Sequence, residues 1–426
     1  MMKKGLLGIL VVILVLGVGQ YGLAAQIELE LWYGLGGTPG EALRELVDMF
    51  NASQSEIKVT AHYQGNYFDT QQKLIAAVSA GVVPDVVNLE VTAVVPFAVA
   101  GQLVNLEEYI DEDYDLDDIF PGLLADGYVS GGLYALPFAR STPVLYYNKD
   151  LLAQAGLPQR APETWDEFAE WIKILDDLDQ GDSSNPIYGF SHNNDTWSFE
   201  YMILSHGGLI SDENYNWHFA TDENSIGAIE RFREFFAPGS GGRFVLRSGE
   251  VDAGIDFTTG RAAMVIQSTG VLTNLANAVE DRFEYGVGFV PMGTQRAVAT
   301  GGNSFVIMKN ISSEKKEAAW KFLKFMTSTE QAAWLSLKTG YMPLRQSSAA
   351  LPVMQERFAQ DPNFETAVKQ LPYAVPQATY MHIPRGSAII QEALVRIMLE
   401  GQPVREALRQ AAEELTREAH RGGFTR

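Results

Sequence analysis

The 426-residue sequence contains no cysteine. That absence excludes disulfides, thiolate metal sites, a cysteine nucleophile and the lipid-bearing cysteine that would tether an exported chain. Beyond residue 18 no apolar run approaches the roughly 20 residues that a membrane span requires. Positive charge is scarce too, with 32 Lys and Arg against 53 Asp and Glu, a balance that repels nucleic acid and anionic membrane faces. The six histidines, at 62, 192, 206, 218, 382 and 420, never stand three or four residues apart, so no helical zinc pair can be read. There is no G-x-S-x-G elbow and no phosphate loop of the G-x-x-x-x-G-K-[ST] type, and Gly34-x-Gly36-x-x-Pro39 misses the third glycine of a dinucleotide fingerprint. The acidic stretch 111–117 begins like a calcium loop but has Leu116 where the sharp turn demands glycine, so it reads as a solvated loop. No catalytic residue, metal ligand or cofactor is assigned. A pair of glycosidase carboxylates needs only spatial proximity, so a secreted glycosidase stays as a distant alternative.

What remains is an acidic chain of ordinary globular composition, 46% hydrophobic and 20% charged. Its length exceeds one ordinary core, and two domains are expected. Residues 1–25 stand apart: Lys3 and Lys4 precede an apolar run over 6–18, and the small residues Gly22, Ala24 and Ala25 follow. This is the layout of a cleaved secretory signal peptide, so a periplasmic location without a lipid anchor is expected. Removing the leader takes two lysines and no acid, which moves the formal charge from −21 to −23. An anionic ligand would then need its own local positive group.

Periodicity predicts alternating strands and helices. Residues 27–33 alternate apolar and polar, a glycine-rich turn over 34–40 follows, and a helix over 41–52 carries the stripe Leu43, Leu46, Val47, Phe50. A strand over 57–63, a helix over 69–80 and a strand over 84–90 continue the pattern, which indicates an α/β domain with a mostly parallel sheet. Thr164 with Glu167 reads as a capping box opening a helix over 164–177. Residues 261–267 and 285–291 read as strands, 314–326 as a helix, and 387–419 as helix broken at Gly401 and Pro403. Trp165 and Trp320 fall on helical stripes and are assigned to the core.

Three stretches set aromatic rings beside glycine, amides and hydroxyls: Tyr63-Gln64-Gly65-Asn66-Tyr67, residues 191–201 around Trp197, and Lys338-Thr339-Gly340-Tyr341-Met342-Pro343. Such pairing suits a polyol, because rings cover C–H faces while polar groups meet the oxygens. A fourth stretch, PFARSTPVLYYNKD over 137–150, puts an arginine and two hydroxyls directly before the β-prone run 144–147. Together with GNY, NLEV, AAM at 262–264, YGVG, GGNS and KTGYMP, in this order and at these separations, it closely resembles the extracellular solute-binding proteins of ABC importers. The likeness spans almost the whole chain after the leader and is strongest to the glycerol-3-phosphate-binding branch.

The resemblance implies a two-lobed periplasmic-binding-protein fold of type II, each lobe a mostly parallel sheet flanked by helices, with three hinge crossings near 139–142, 284–286 and 338–343. Lobe one would hold residues 27–139 and 286–338, and lobe two 143–284 and 343–426. The polar knot at 139–142 would then floor an interlobe cleft. The implied function is capture of glycerol 3-phosphate or a related glycerophosphodiester, with an uncharged sugar or polyol of the maltose or trehalose kind as the alternative. The receptor would be a monomer without enzymatic activity, closing about its hinges and delivering solute to permease subunits driven by a cytoplasmic ATPase. Carried over residue by residue, ligand contacts fall on Tyr67, Glu90, Ser141, Ser268, Gly302 and Tyr341, with Trp197 alone where relatives carry paired tryptophans. The family's phosphate-binding arginine aligns with Ser387, so a bound phosphate would require Arg385 or Arg140 instead.

Overall fold

The computed structural model describes residues 26–178, 186–246 and 252–425; the expected leader lies outside them. Among the described residues no helix is long and apolar enough to cross a membrane.

Two five-stranded sheets organise the chain. The first runs in the order Ile57–Tyr63, Ile27–Tyr33, Val86–Glu90, Gly301–Ile307, Leu136–Ser141. Its first three strands are parallel and Gly301–Ile307 is antiparallel to both neighbours. The alternation read from residues 27–33 takes effect here: Leu29, Leu31 and Tyr33 are buried while Glu28 and Glu30 are exposed. The helix Gly37–Ser53 lays Leu43, Leu46, Val47 and Phe50 on this core. It begins four residues earlier than its stripe suggested, since Pro39 falls in the first turn, where no intrahelical N–H is needed. Next, the helix Tyr67–Ala80 is opened by a capping box between Asn66 and Asp69.

The second sheet runs Tyr285–Gly288, Pro143–Asn148, Ala262–Ser268, Tyr188–Asn193, Gly242–Val245. Trp165, Phe168, Trp171, Ile172 and Leu175 of the helix Trp165–Asp176 pack on it. The capping box predicted there is half formed. Thr164 Oγ1 accepts from Glu167 N at 3.2 Å, but the Glu167 carboxylate turns to Glu163 N at 2.7 Å and to Arg160. Helices Gly386–Met398 and Val404–Arg421 flank the predicted break and bury Ile389, Ile390, Leu408 and Leu415 in the same core.

The chain passes from sheet to sheet at Thr142, which alone separates Leu136–Ser141 from Pro143–Asn148. The second crossing differs from expectation. Tyr285–Gly288 pairs antiparallel with Pro143–Asn148, Tyr285 opposite Asn148 and Gly288 opposite Leu145, so residues 285 and 286 lie within the second sheet. The glycine of this stretch serves close packing rather than a hinge: a Cβ on Gly286 would lie 2.2 Å from the Tyr147 ring. The boundary expected at 286 therefore moves past Gly288, and the chain rejoins the first sheet at Gly301. After the helix Thr329–Thr339, Met342 N donates to Arg140 O at 2.9 Å, which brings the third passage alongside the first.

Candidate functional site

Register gathers the candidate residues at one end of the first sheet. Glu90 stands opposite Asn303, Gly302 opposite Arg140, and Gly301 opposite Ser141. Glu90 closes a parallel strand, and strand C-termini are where open α/β sheets receive ligands. From the second sheet, Ser268 stands opposite Pro143, and Thr269 N reaches Thr142 O at 2.9 Å. Tyr67, the first residue of its helix, accepts a hydrogen bond from Asn303 Nδ2 at 2.8 Å. Tyr341 lies beside Tyr67 and packs its ring on Gly270, next to Ser268. Trp197 crosses from the other lobe, its Nε1 donating to Thr300 O at 3.2 Å. Eight of the residues named from sequence thus stand around the Thr142 crossing.

Arg385 is not among them. It is 53% exposed and forms ion pairs with Glu392 at 3.3 Å and Glu414 at 3.4 Å on the helical face of the second lobe. The expectation that it meets a phosphate in the cleft is corrected by that geometry.

Arg140 lies at the crossing but is fully buried and already neutralised. Its Nε donates to Gly301 O at 3.0 Å, and its Nη2 to Thr300 Oγ1 at 2.7 Å and to the Asp126 carboxylate. Asp126 also accepts from Thr300 Oγ1 at 2.7 Å and from Gln377 N at 3.3 Å. Arg140 is thereby tied into the crossing as a structural ion pair, not left as a free phosphate partner.

The surroundings are acidic. Burial pushes the Glu90 carboxyl up to about 7, helped by Asp126 and opposed by Thr92 and Arg140. Glu200, on the helix Thr196–Ser205, is pushed up to about 8 by burial, with the charges of Asp126 and Glu90 acting in the same direction. Its Oε1 accepts from Ala378 N at 3.1 Å. Burial drives His382 down to about 4. The turns Val91–Ala93 and Thr379–His382 touch, and the charge of Glu90 is felt at Glu200. Among the described residues no group of three or more metal-ligating side chains is placed to hold an ion.

Sequence reasoning missed Asp126, Glu200 and Asn303. Asn303 was within reach, since it sits inside GGNS, and Glu200 falls in the stretch singled out for Trp197. Asp126 carries no local signal. One consequence concerns Gly301, where a Cβ would lie 2.2 Å from Trp197 Cζ2. Gly301→Ala is expected to displace that ring and weaken solute binding about tenfold while both lobes stay folded. Calorimetry with circular dichroism of the variant checks this, and unchanged affinity would show that the ring plays no part.

Residues 45–366 match the model of a family described as bacterial extracellular solute-binding protein. The chain is 27% identical over 410 residues to the sn-glycerol-3-phosphate-binding periplasmic protein UgpB of Brucella abortus (strain 2308), covering 91% of this chain and 92% of that one. Its fold superposes on UgpB from Mycobacterium tuberculosis in complex with glycerophosphocholine with a TM-score of 0.82 and 30% identity, over 92% and 98% of the two chains. It also superposes on the cyclic alpha-maltosyl-1,6-maltose binding protein from Arthrobacter globiformis with a TM-score of 0.77 and 23% identity, over 92% and 98%, a likeness of fold. The chain belongs to the bacterial extracellular solute-binding protein family.

Proposed function

We propose that this chain is the periplasmic receptor of an ABC importer and that its solute is a glycerophosphodiester held at the Thr142 crossing and passed to a membrane permease. The observation that carries the reading is the convergence of Tyr67, Glu90, Ser141, Ser268, Gly302, Tyr341 and Trp197 around a crossing whose one arginine is already paired with Asp126. A phosphomonoester such as glycerol 3-phosphate brings between about one and a half and two negative charges at neutral pH. At the crossing it would find no unpaired guanidinium at Arg140 or Arg385 to offset that charge. A diester brings one negative charge, and a diester with a cationic head group brings none in net, so neutral donors suffice for it. The Mycobacterium tuberculosis relative was crystallised with a ligand of that kind. An uncharged sugar or polyol is the second reading, favoured by the same engagement of both arginines.

The receptor works as a clamp without breaking bonds: a ligand touching both lobes stabilises the closed form, which the permease distinguishes. Calorimetry against glycerophosphocholine, glycerol 3-phosphate, maltose and trehalose tests the reading. Glycerophosphocholine is expected to bind at about 1 μM or tighter, more tightly than glycerol 3-phosphate, with the ligand recovered unchanged. Tight maltose or trehalose binding with neither phosphate compound bound would leave a sugar receptor.

A further inference from the structure

We propose that Asn303 is a positioning residue: its amide makes the Tyr67 hydroxyl a hydrogen-bond donor to the solute, and so selects ligands that present an accepting oxygen there. The inference rests on the reading of Tyr67 as a ligand contact.

The strand Gly301–Ile307 is irregular where it meets the crossing strand. Gly302 pairs with Arg140 but Ser304 with Pro137, a bulge between them. Gly302 adopts φ +101°, and a Cβ there would lie 2.0 Å from Ala139 O, so only glycine fits. The bulge leaves Asn303 outside the regular pairing with Leu136–Ser141, its side chain fully buried. Every hydrogen-bonding position of that amide is used. Oδ1 accepts from Asn88 Nδ2 at 2.5 Å and from Ala139 N at 3.4 Å, while Nδ2 donates to Tyr67 Oη at 2.8 Å and to Ala139 O at 3.4 Å.

The backbone of Ala139 fixes which way round the amide sits. Its N–H cannot accept and its C=O cannot donate, so the reversed amide would oppose donor to donor and acceptor to acceptor. Asn88, also fully buried, supplies a further donor on the same side. Tyr67 Oη therefore always receives an N–H, and the phenolic proton is left for an acceptor on its other side, where Tyr341 stands as the hydrogen-bond partner until a solute oxygen takes its place. A free tyrosine can play either part; this one is committed. Phosphate oxygens accept and never donate when ionised, so the arrangement favours them over a group that must donate at that point.

A double-mutant cycle tests the assignment. Asn303→Asp keeps the shape but replaces the N–H donor by an oxygen that takes the Tyr67 proton. Its affinity for glycerophosphocholine is expected to fall about tenfold in the otherwise unaltered chain, and to change less than about twofold when Tyr67→Phe is already present. Unliganded melting temperatures of all four proteins separate lost fold from lost positioning, and Asn303→Ala in the same cycle serves should the aspartate variant not fold. Equal losses with and without the Tyr67 hydroxyl would overturn the inference, as would Tyr67→Phe having no effect in a chain that binds glycerophosphocholine. Should the unaltered chain bind maltose instead, the phosphodiester reading fails, and the same cycle run with maltose still decides the part played by Asn303.

Discussion

Raising the pH from about 4.5 to about 8 is expected to destabilise this protein, and Glu200→Gln to remove most of that loss. Burial lifts the Glu200 carboxyl from 4.5 to about 8, so between those values the folded chain keeps a proton that the unfolded chain has released. The side that binds more protons loses ground as protons become scarce. The contribution is fully present below about 4.5 and lost as the pH climbs through about 8. Glu200 is only 1% exposed, so little solvent screening applies, and the change is on the order of a few kcal/mol. Glu90, lifted to about 7 but more open, acts in the same direction and more weakly. His382 works the opposite way. Its imidazole is depressed from 6.5 to about 4, so it favours folding increasingly as the pH rises through that interval. The carboxyl effect should therefore emerge most clearly above 6.5, where His382 is neutral in both states. Urea denaturation of the unaltered chain and of Glu200→Gln over that range measures it. Identical pH slopes for the two proteins would show that Glu200 is not the group responsible.

Arg140→Met is expected to cost about 3–5 kcal/mol of stability whether or not ligand is present. The side chains of Arg140 and Asp126 are 0% and 9% exposed, so removing the guanidinium strands a carboxylate away from water. It also removes the donors to Gly301 O and Thr300 Oγ1 that tie the crossing to the next strand. Adding Asp126→Asn should recover part of the loss, because the uncompensated charge disappears with it. Arg385→Ala, by contrast, removes only exposed pairs with Glu392 and Glu414, and should leave both stability and affinity within about 0.5 kcal/mol. Denaturation without ligand decides between the roles. A stable Arg140→Met protein that has lost binding would return Arg140 to the ligand and refute its assignment as a structural ion pair.

The difference between these two arginines shows how far the sequence could be read. Both were legible as the positive groups near the candidate motifs, and one lies in the expected place. Neither could be seen to be engaged. The partners of Arg140 come from Asp126, Thr300 and Gly301, and those of Arg385 from two helices 7 and 29 residues further along. Glu200 is a similar case: its charge is unremarkable in the sequence, and only packing against Ala378 and Tyr380 makes it a buried acid. The crossing expected at 284–286 was implied by the resemblance alone, whereas Tyr285–Gly288 is a strand of the second sheet and the space beside Gly286 is filled by the Tyr147 ring.

Sequence by itself determined the strand and helix alternation, the core stripes, the first crossing at 139–142 and membership of the solute-binding family. These rest on side-chain period and on motifs of a few adjacent residues, both of which are local. Tertiary structure alone decided which arginine is neutralised, which carboxyls are lifted towards neutrality, and how the bulge at Gly302 turns Asn303 onto Tyr67. Each of those depends on distances between residues far apart in the chain, and on how much water folding removes from between them.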